Sequence, residues 1–125
     1  MKVLFLVVGK TIDKHLIALI NDYTERVKHY MPFDVEVIPE LKNTKALSPE
    51  QQKEREGELL QKQLRDGDHV VLLDEGGFSP AIYALAKDKL SLSKMTFSHQ
   101  MVRLFFVEQV YRAMTILRGE PYHHE

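Results

Sequence analysis

The sequence predicts an α/β fold, a mainly parallel sheet flanked by helices, and three observations predict it. Short segments rich in apolar and β-branched residues recur at Val3–Val8, Phe33–Pro39 and His69–Asp74. Stretches with apolar residues at helical spacing lie between and after them. Capping and turn residues separate the two kinds of segment. Strands that alternate with helices are joined by crossovers, and a crossover returns the chain parallel to the strand it left.

The elements follow in order. Val3–Val8 is a continuous apolar run closed by Gly9, the pattern of a central strand buried on both faces. Thr11 or Asp13 caps the next helix, in which Leu16, Leu19, Ile20, Tyr23, Val27 and Tyr30 fall on one face. Met31-Pro32 ends it. Phe33 to Pro39 alternates apolar and polar, as an edge or near-edge strand does. A polar loop leads to Ser48-Pro49-Glu50-Gln51, with serine as N-cap, proline at the first helical position and glutamine three residues after the cap. That helix runs to about Leu64, and its many charges solvate one face. Arg65-Asp66-Gly67-Asp68 is a turn, and the third strand follows. Ser79-Pro80 opens a short helix to about Lys89, Leu92 to Phe97 is extended, and Ser98 caps a final helix to about Leu117.

Composition narrows the possible functions. A chain of 125 residues suggests one domain. Without cysteine, disulfides, thiol catalysis and thiolate metal sites are excluded, which fits a cytoplasmic protein. The apolar start is too short to span a membrane and lacks a small-residue cleavage site. The formal net charge of -1 argues against holding nucleic acid by bulk phosphate neutralisation, so an RNA partner would need a local patch or recognition by shape. The last helix is apolar almost all round from Met101 to Leu117, and one sheet covers one side only. A second subunit, most simply through a two-fold axis, is the expected cover.

Several motifs have more than one reading. Gly9-Lys10-Thr11 ends like a phosphate-binding loop, but Leu4 stands where that motif needs its first glycine, so a strand-to-helix turn is the better reading. His99, in the first turn of the last helix, is either a surface histidine or a ligand-contacting or proton-handling group. His123, His124 and Glu125 make a poorly preorganised metal site, and no metal is expected. Arg103, Glu108 and Arg112 sit in an apolar helix, where charges need partners; pairs at a dimer interface and groups facing RNA are both open. Gly76-Gly77 lets the backbone turn tightly or approach a ligand.

The stretch Ser91-Leu92-Ser93-Lys94-Met95-Thr96-Phe97-Ser98-His99-Gln100-Met101-Val102-Arg103 closely resembles the bacterial ribosomal RNA large-subunit methyltransferase H family. So do Glu108-Gln109-Val110-Tyr111-Arg112-Ala113 and the ending Glu120-Pro121-Tyr122-His123-His124-Glu125. Val7-Val8-Gly9-Lys10 and Leu72-Leu73-Asp74-Glu75 match as well. The resemblance implies a SPOUT-type fold with a C-terminal trefoil knot, a homodimer, and S-adenosylmethionine as methyl donor. It implies methylation of N3 of a pseudouridine in the 23S RNA of the assembled ribosome. Donor contacts would fall to Leu73, Gly77, Leu92, Ser93, Lys94, Met95, Thr96 and Phe97. His99, Tyr122 and His123 are the candidate catalytic groups: Tyr122 to stack on a base, His123 or His124 to contact phosphate, and His99 or a tail histidine to take the N3 proton.

One departure from the family pattern is large. Family members carry a helix and another buried strand between the Asp-Glu after the third strand and the Gly-Gly before Phe78-Ser79-Pro80. Here Glu75 is joined directly to Gly76. The chain is therefore expected to be a single SPOUT-like domain over residues 1–125 that lacks one helix–strand unit, on the order of 30 residues. The missing strand carries one wall of the family's donor pocket and part of the loop that the knot threads. Impaired activity is the expectation, and a shortened threaded loop allows an unknotted form. The alternatives are a catalytically inactive dimeric scaffold and a ribosome-binding module.

Overall fold

The computed structural model describes residues 2–42, 44–73, 80–89 and 99–121. Their order is β1 (Val3–Val8), α1 (Lys14–Lys28), β2 (Phe33–Ile38), a single 3-10 turn (Thr44–Ala46), α2 (Pro49–Gln61), β3 (Val71–Leu72), α3 (Pro80–Leu85), β4 (Asp88–Lys89) and α4 (His99–Leu117). Two compact units form, one from Met1–Val37 with Met95–Glu125 and one from Ile38–Lys94.

In the first unit β1 pairs with β2. The Val3 amide donates to Pro32 O (3.0 Å), so the starts of the two strands lie together and the strands run parallel, as a β–α–β crossover requires. Asp13, not Thr11, caps α1: its carboxylate accepts from the His15 and Leu16 amides. Ile20, Thr24 and Val27 recur at helical spacing and form the buried stripe of α1. Helices α1 and α4 pack on each other, and Ile20, Val27, Phe33 and Val107 make the core. The Phe5 and Phe106 rings meet at 4.5 Å between centroids, which places Phe106 inside the chain's own packing. The expectation that β1 is buried on both faces is not met: Leu4 on the alternate face is 41% exposed.

The all-round apolarity of α4 resolves into faces. Arg103, Val107 and Thr115 are buried at spacings of four and eight, the period of one helix face, whereas Ile116 and Leu117 are exposed. The helix closes on Gly119 at φ 68, with the Gly119 amide donating to Ile116 O (3.0 Å) and the Glu120 amide to Thr115 O (2.8 Å). These are the paired bonds of a Schellman ending, and the left-handed φ is why glycine stands there. Tyr30 donates to Glu120 (2.5 Å) and so ties this ending to the chain just beyond α1. The bond to the carboxylate pushes the Tyr30 phenol up to about 12.

In the second unit the capping box of α2 is complete: Gln51 N–H donates to the Ser48 hydroxyl (3.1 Å) and the Gln51 side chain accepts from Ser48 N–H (3.0 Å). Strands β3 and β4 pair in parallel, Val71 opposite Asp88 and Leu72 opposite Lys89. The helix expected to reach Lys89 therefore stops at Leu85, and Asp88–Lys89 is strand instead. A β–α–β crossover explains the difference. The Lys87 amide donates to Val70 O (2.8 Å), which pulls the chain off the helix and onto the sheet. His69 and Asp88 pair across the start of these strands at 2.6 Å, both largely exposed.

Candidate functional site

The first candidate region is the carboxyl end of β1, where open α/β sheets usually hold ligands. Gly9 leaves the strand at φ 80, a conformation that side chains disfavour, and turns the chain toward α1. The first turn of α4 is fastened to this loop by four hydrogen bonds. Gln100 Oε1 accepts from the Ile12 amide (2.9 Å), and Gln100 Nε2 donates to Lys10 O (3.2 Å). Arg103 donates to Val8 O (2.6 Å) and to Thr11 Oγ1 (3.1 Å). Arg103 is 6% exposed, so this charge in an apolar helix faces inward onto backbone and hydroxyl. Neither sequence expectation for Arg103, interface pair or RNA contact, describes these bonds. Thr11, expected as a possible cap, serves as an acceptor instead.

A cleft of about 440 Å³ opens beside this loop, between α1 and the two strands. Phe5, Val7, Ile20 and Val35 line it with apolar surface, and Lys10, Thr11 and Arg103 stand along it as well. Of its other charges, Lys28 pairs with Glu25 (3.2 Å) and Asp34 with Lys2 (3.4 Å). The Thr24 hydroxyl oxygen is buried in this wall and has no hydrogen-bond partner among the described residues. No cluster of histidine and carboxylate groups that could hold a metal occurs among the described residues.

The second region is the carboxyl end of β3 and β4. The register of this parallel pair sets Leu72 beside Lys89, so the chain leaves the two strands side by side. Half-buried Leu73 follows β3 directly, and residues 90–97 follow β4. Leu73, expected to touch the donor, thus leaves one of two adjoining strand ends. Of the expected site residues, the structure describes Leu73 and the backbone of His99, which is the first residue of α4. Gly77, Leu92, Ser93, Lys94, Met95, Thr96, Phe97, Tyr122 and His123 lie outside the described residues. Gln100 was not singled out by the sequence, because an exposed-looking amide beside a histidine gives no periodic or charge signal. Arg103 did give one, since a charge on an apolar helix needs a partner.

The family model described as "Predicted SPOUT methyltransferase" matches residues 1–78 and 75–123. The chain belongs to the SPOUT methyltransferase family. Proteins of Bacteroides fragilis and Phocaeicola vulgatus, each named Ribosomal RNA large subunit methyltransferase H, are 54% and 55% identical to it. A Flavobacterium johnsoniae protein of the same name is 46% identical. All three alignments cover 100% of both chains. Each runs over 157 positions against 125 residues here, so at least 32 positions of the alignment have no residue in this SPOUT chain. The α/β class agrees with this family. Among the described residues no helix is long and apolar enough to cross a membrane.

Proposed function

We propose that this chain is an S-adenosylmethionine-dependent methyltransferase of large-subunit ribosomal RNA, acting at N3 of a pseudouridine. The observation that carries the reading is that β3 and β4 end side by side, with Leu73 directly after β3 and, in sequence, the run toward Leu92–Phe97 after β4. Family membership and the names of the relatives support it. An adenine-bearing cation fits such a place, because strand ends leave backbone donors and acceptors free beside apolar side chains such as Leu73. When bound, S-adenosylmethionine supplies an electrophilic methyl group. The chain's own residues must then orient the base and take the N3 proton, and His99, Tyr122 and His123 are the candidates.

The same reading makes the chain a single SPOUT-like domain, homodimeric through α4, cytoplasmic, and short of one helix–strand unit between Glu75 and Gly76. The two-part family match meeting at residues 75–78 and the 157-position alignments support the shortening. That observation also favours a second reading, a dimeric scaffold or ribosome-binding module without turnover.

Calorimetry with S-adenosylmethionine, followed by methyl incorporation into large ribosomal subunits, tests the proposal. Loss of two or three donor contacts worth about 1 kcal/mol each weakens binding on the order of 30- to 100-fold relative to a full-length relative. Affinity equal to that relative's would refute the effect of the shortening. No binding at all would leave the scaffold reading standing, and ribosome co-sedimentation would then separate it from the binding module.

A further inference from the structure

The geometry points to a nucleotide site in the cleft between α1 and the β1–β2 sheet, with a base on its apolar floor and one phosphate at Lys10. Methyl transfer as proposed above uses the ends of β3 and β4, so this site stands independently of it. Every residue that lines the cleft belongs to the first compact unit. At about 440 Å³ it falls among the volumes, about 300–1,000 Å³, that hold small ligands. Phe5, Val7, Ile20 and Val35 form the apolar floor. The Phe5 ring is backed by Phe106 at 4.5 Å between centroids, which steadies it as a surface for a flat ring.

Polar groups along the cleft are left unsatisfied in a pattern that suits a base. Asn21 and Thr24 stand about one turn apart on α1, and both line the cleft. The Asn21 side chain, a donor and an acceptor, makes no hydrogen bond among the described residues. Thr24 is only 8% exposed, and its hydroxyl oxygen has no partner among the described residues. A buried hydroxyl left unpaired is costly, and a helical threonine has two χ1 wells through which to turn it toward a ligand. The edge of a base offers partners to both groups, as adenine N6 and N7 do to an amide. A fatty chain would bury both unpaired, which argues against a lipid.

Charge selects the end that takes the phosphate. Lys28 is held by Glu25 (3.2 Å), and Asp34 by Lys2 (3.4 Å). Lys10 has no ion-pair partner among the described residues. Beside it Thr11 Oγ1 accepts from Arg103, which leaves the Thr11 proton to donate. The nearby backbone donors are already taken: Gln100 holds the Ile12 amide, and Asp13 holds those of His15 and Leu16. One ammonium and one hydroxyl suit a single phosphate better than a chain of three. Asn21 lies seven residues beyond Lys14, about 10 Å along α1 from the loop, and a mononucleotide spans a distance of that order. The nucleotide is either free or one unit of an RNA strand.

Calorimetry on the full chain with AMP, adenosine, inorganic phosphate and a single-stranded oligoadenylate tests this. AMP should bind at least about tenfold more tightly than adenosine or phosphate. Lys10→Gln should reduce AMP to the level of adenosine and leave adenosine within about twofold. Asn21→Leu should weaken AMP and adenosine alike, by about tenfold. Thr24→Val should weaken AMP while raising the melting temperature of the free chain, because it removes an unpaired hydroxyl and keeps the shape. Lys28→Gln alters a lysine that is already paired and should leave AMP within about twofold. Saturable AMP binding identifies a site for free nucleotide. Binding of oligoadenylate alone, with the same dependence on Lys10 and Asn21, identifies a unit of an RNA strand. Failure of both to bind at about 1 mM overturns the site. Phosphate as tight as AMP overturns the place of the base, and stoichiometric displacement of AMP by S-adenosylmethionine overturns a site separate from the donor's. Failure of the chain to bind S-adenosylmethionine sinks the donor reading and leaves these outcomes unaffected.

Discussion

Val107→Ala tests the packing between α4 and α1. Val107 is wholly buried and shares the core with Ile20, Val27 and Phe33, each of which is itself buried. Alanine removes two methyl groups, worth about 0.8 kcal/mol each by transfer. The neighbours come from helix α1 and strand β2, so the hole cannot close by moving one side chain, and a cavity contribution adds to the loss. The expected destabilisation is about 2–3 kcal/mol. Urea unfolding followed by circular dichroism should show the midpoint fall by about 1 M. Leu117→Ala provides the contrast on the same helix. It deletes a larger group, but Leu117 is 78% exposed, so the change expected is within about 0.5 kcal/mol for an isolated chain. The comparison also tests for a dimer. If a partner covers this end of α4, Leu117→Ala loses stability at high protein concentration and regains parity on dilution. Val107→Ala within 0.5 kcal/mol of the unmodified chain, roughly the scatter of surface substitutions, would refute the core described above.

Other outcomes are expected from the same geometry. Ser48→Ala removes one half of the capping box of α2 and should lower stability by about 1 kcal/mol, while Ser48→Asp should retain most of it; urea midpoints read both. Tyr30 titrates late because protonation keeps its bond to Glu120, at about 12 against an ordinary 10.0. The folded state then binds this proton more tightly than the unfolded state. The stabilisation is complete below pH 10 and is lost as the pH rises toward 12. Ultraviolet titration of tyrosinate should show Tyr30 as a late group, and Glu120→Gln should bring it down.

The sequence made some parts of this molecule legible and not others, for identifiable reasons. Strand β1 and helix α4 were read to the residue at most of their ends, because a glycine closes one and long apolar periodicity marks the other. The start of α2 was equally plain, since serine, proline and glutamine each occupy a position with a separate physical reason. Helix α3 was overextended, because Asp88–Lys89 carries no β-branched or aromatic residue. Its strand character comes from pairing with β3, a tertiary effect that local composition does not carry. The strand ends that the proposed function uses are readable from the alternation of elements. The Gln100 and Arg103 bonds are not, because three of the four go to backbone atoms that every sequence possesses.

The ending of α4 has a mechanical consequence. From His99 to Leu117 the helix rises about 27 Å, and the Schellman turn holds Glu120 at its far end. Tyr30 meets Glu120 there, while Gln100 meets Lys10 and Ile12 at the near end, so α4 is moored at both ends to the segments that flank α1. Cutting one mooring leaves the other in place, and the helix then frays from the freed end before it leaves the core.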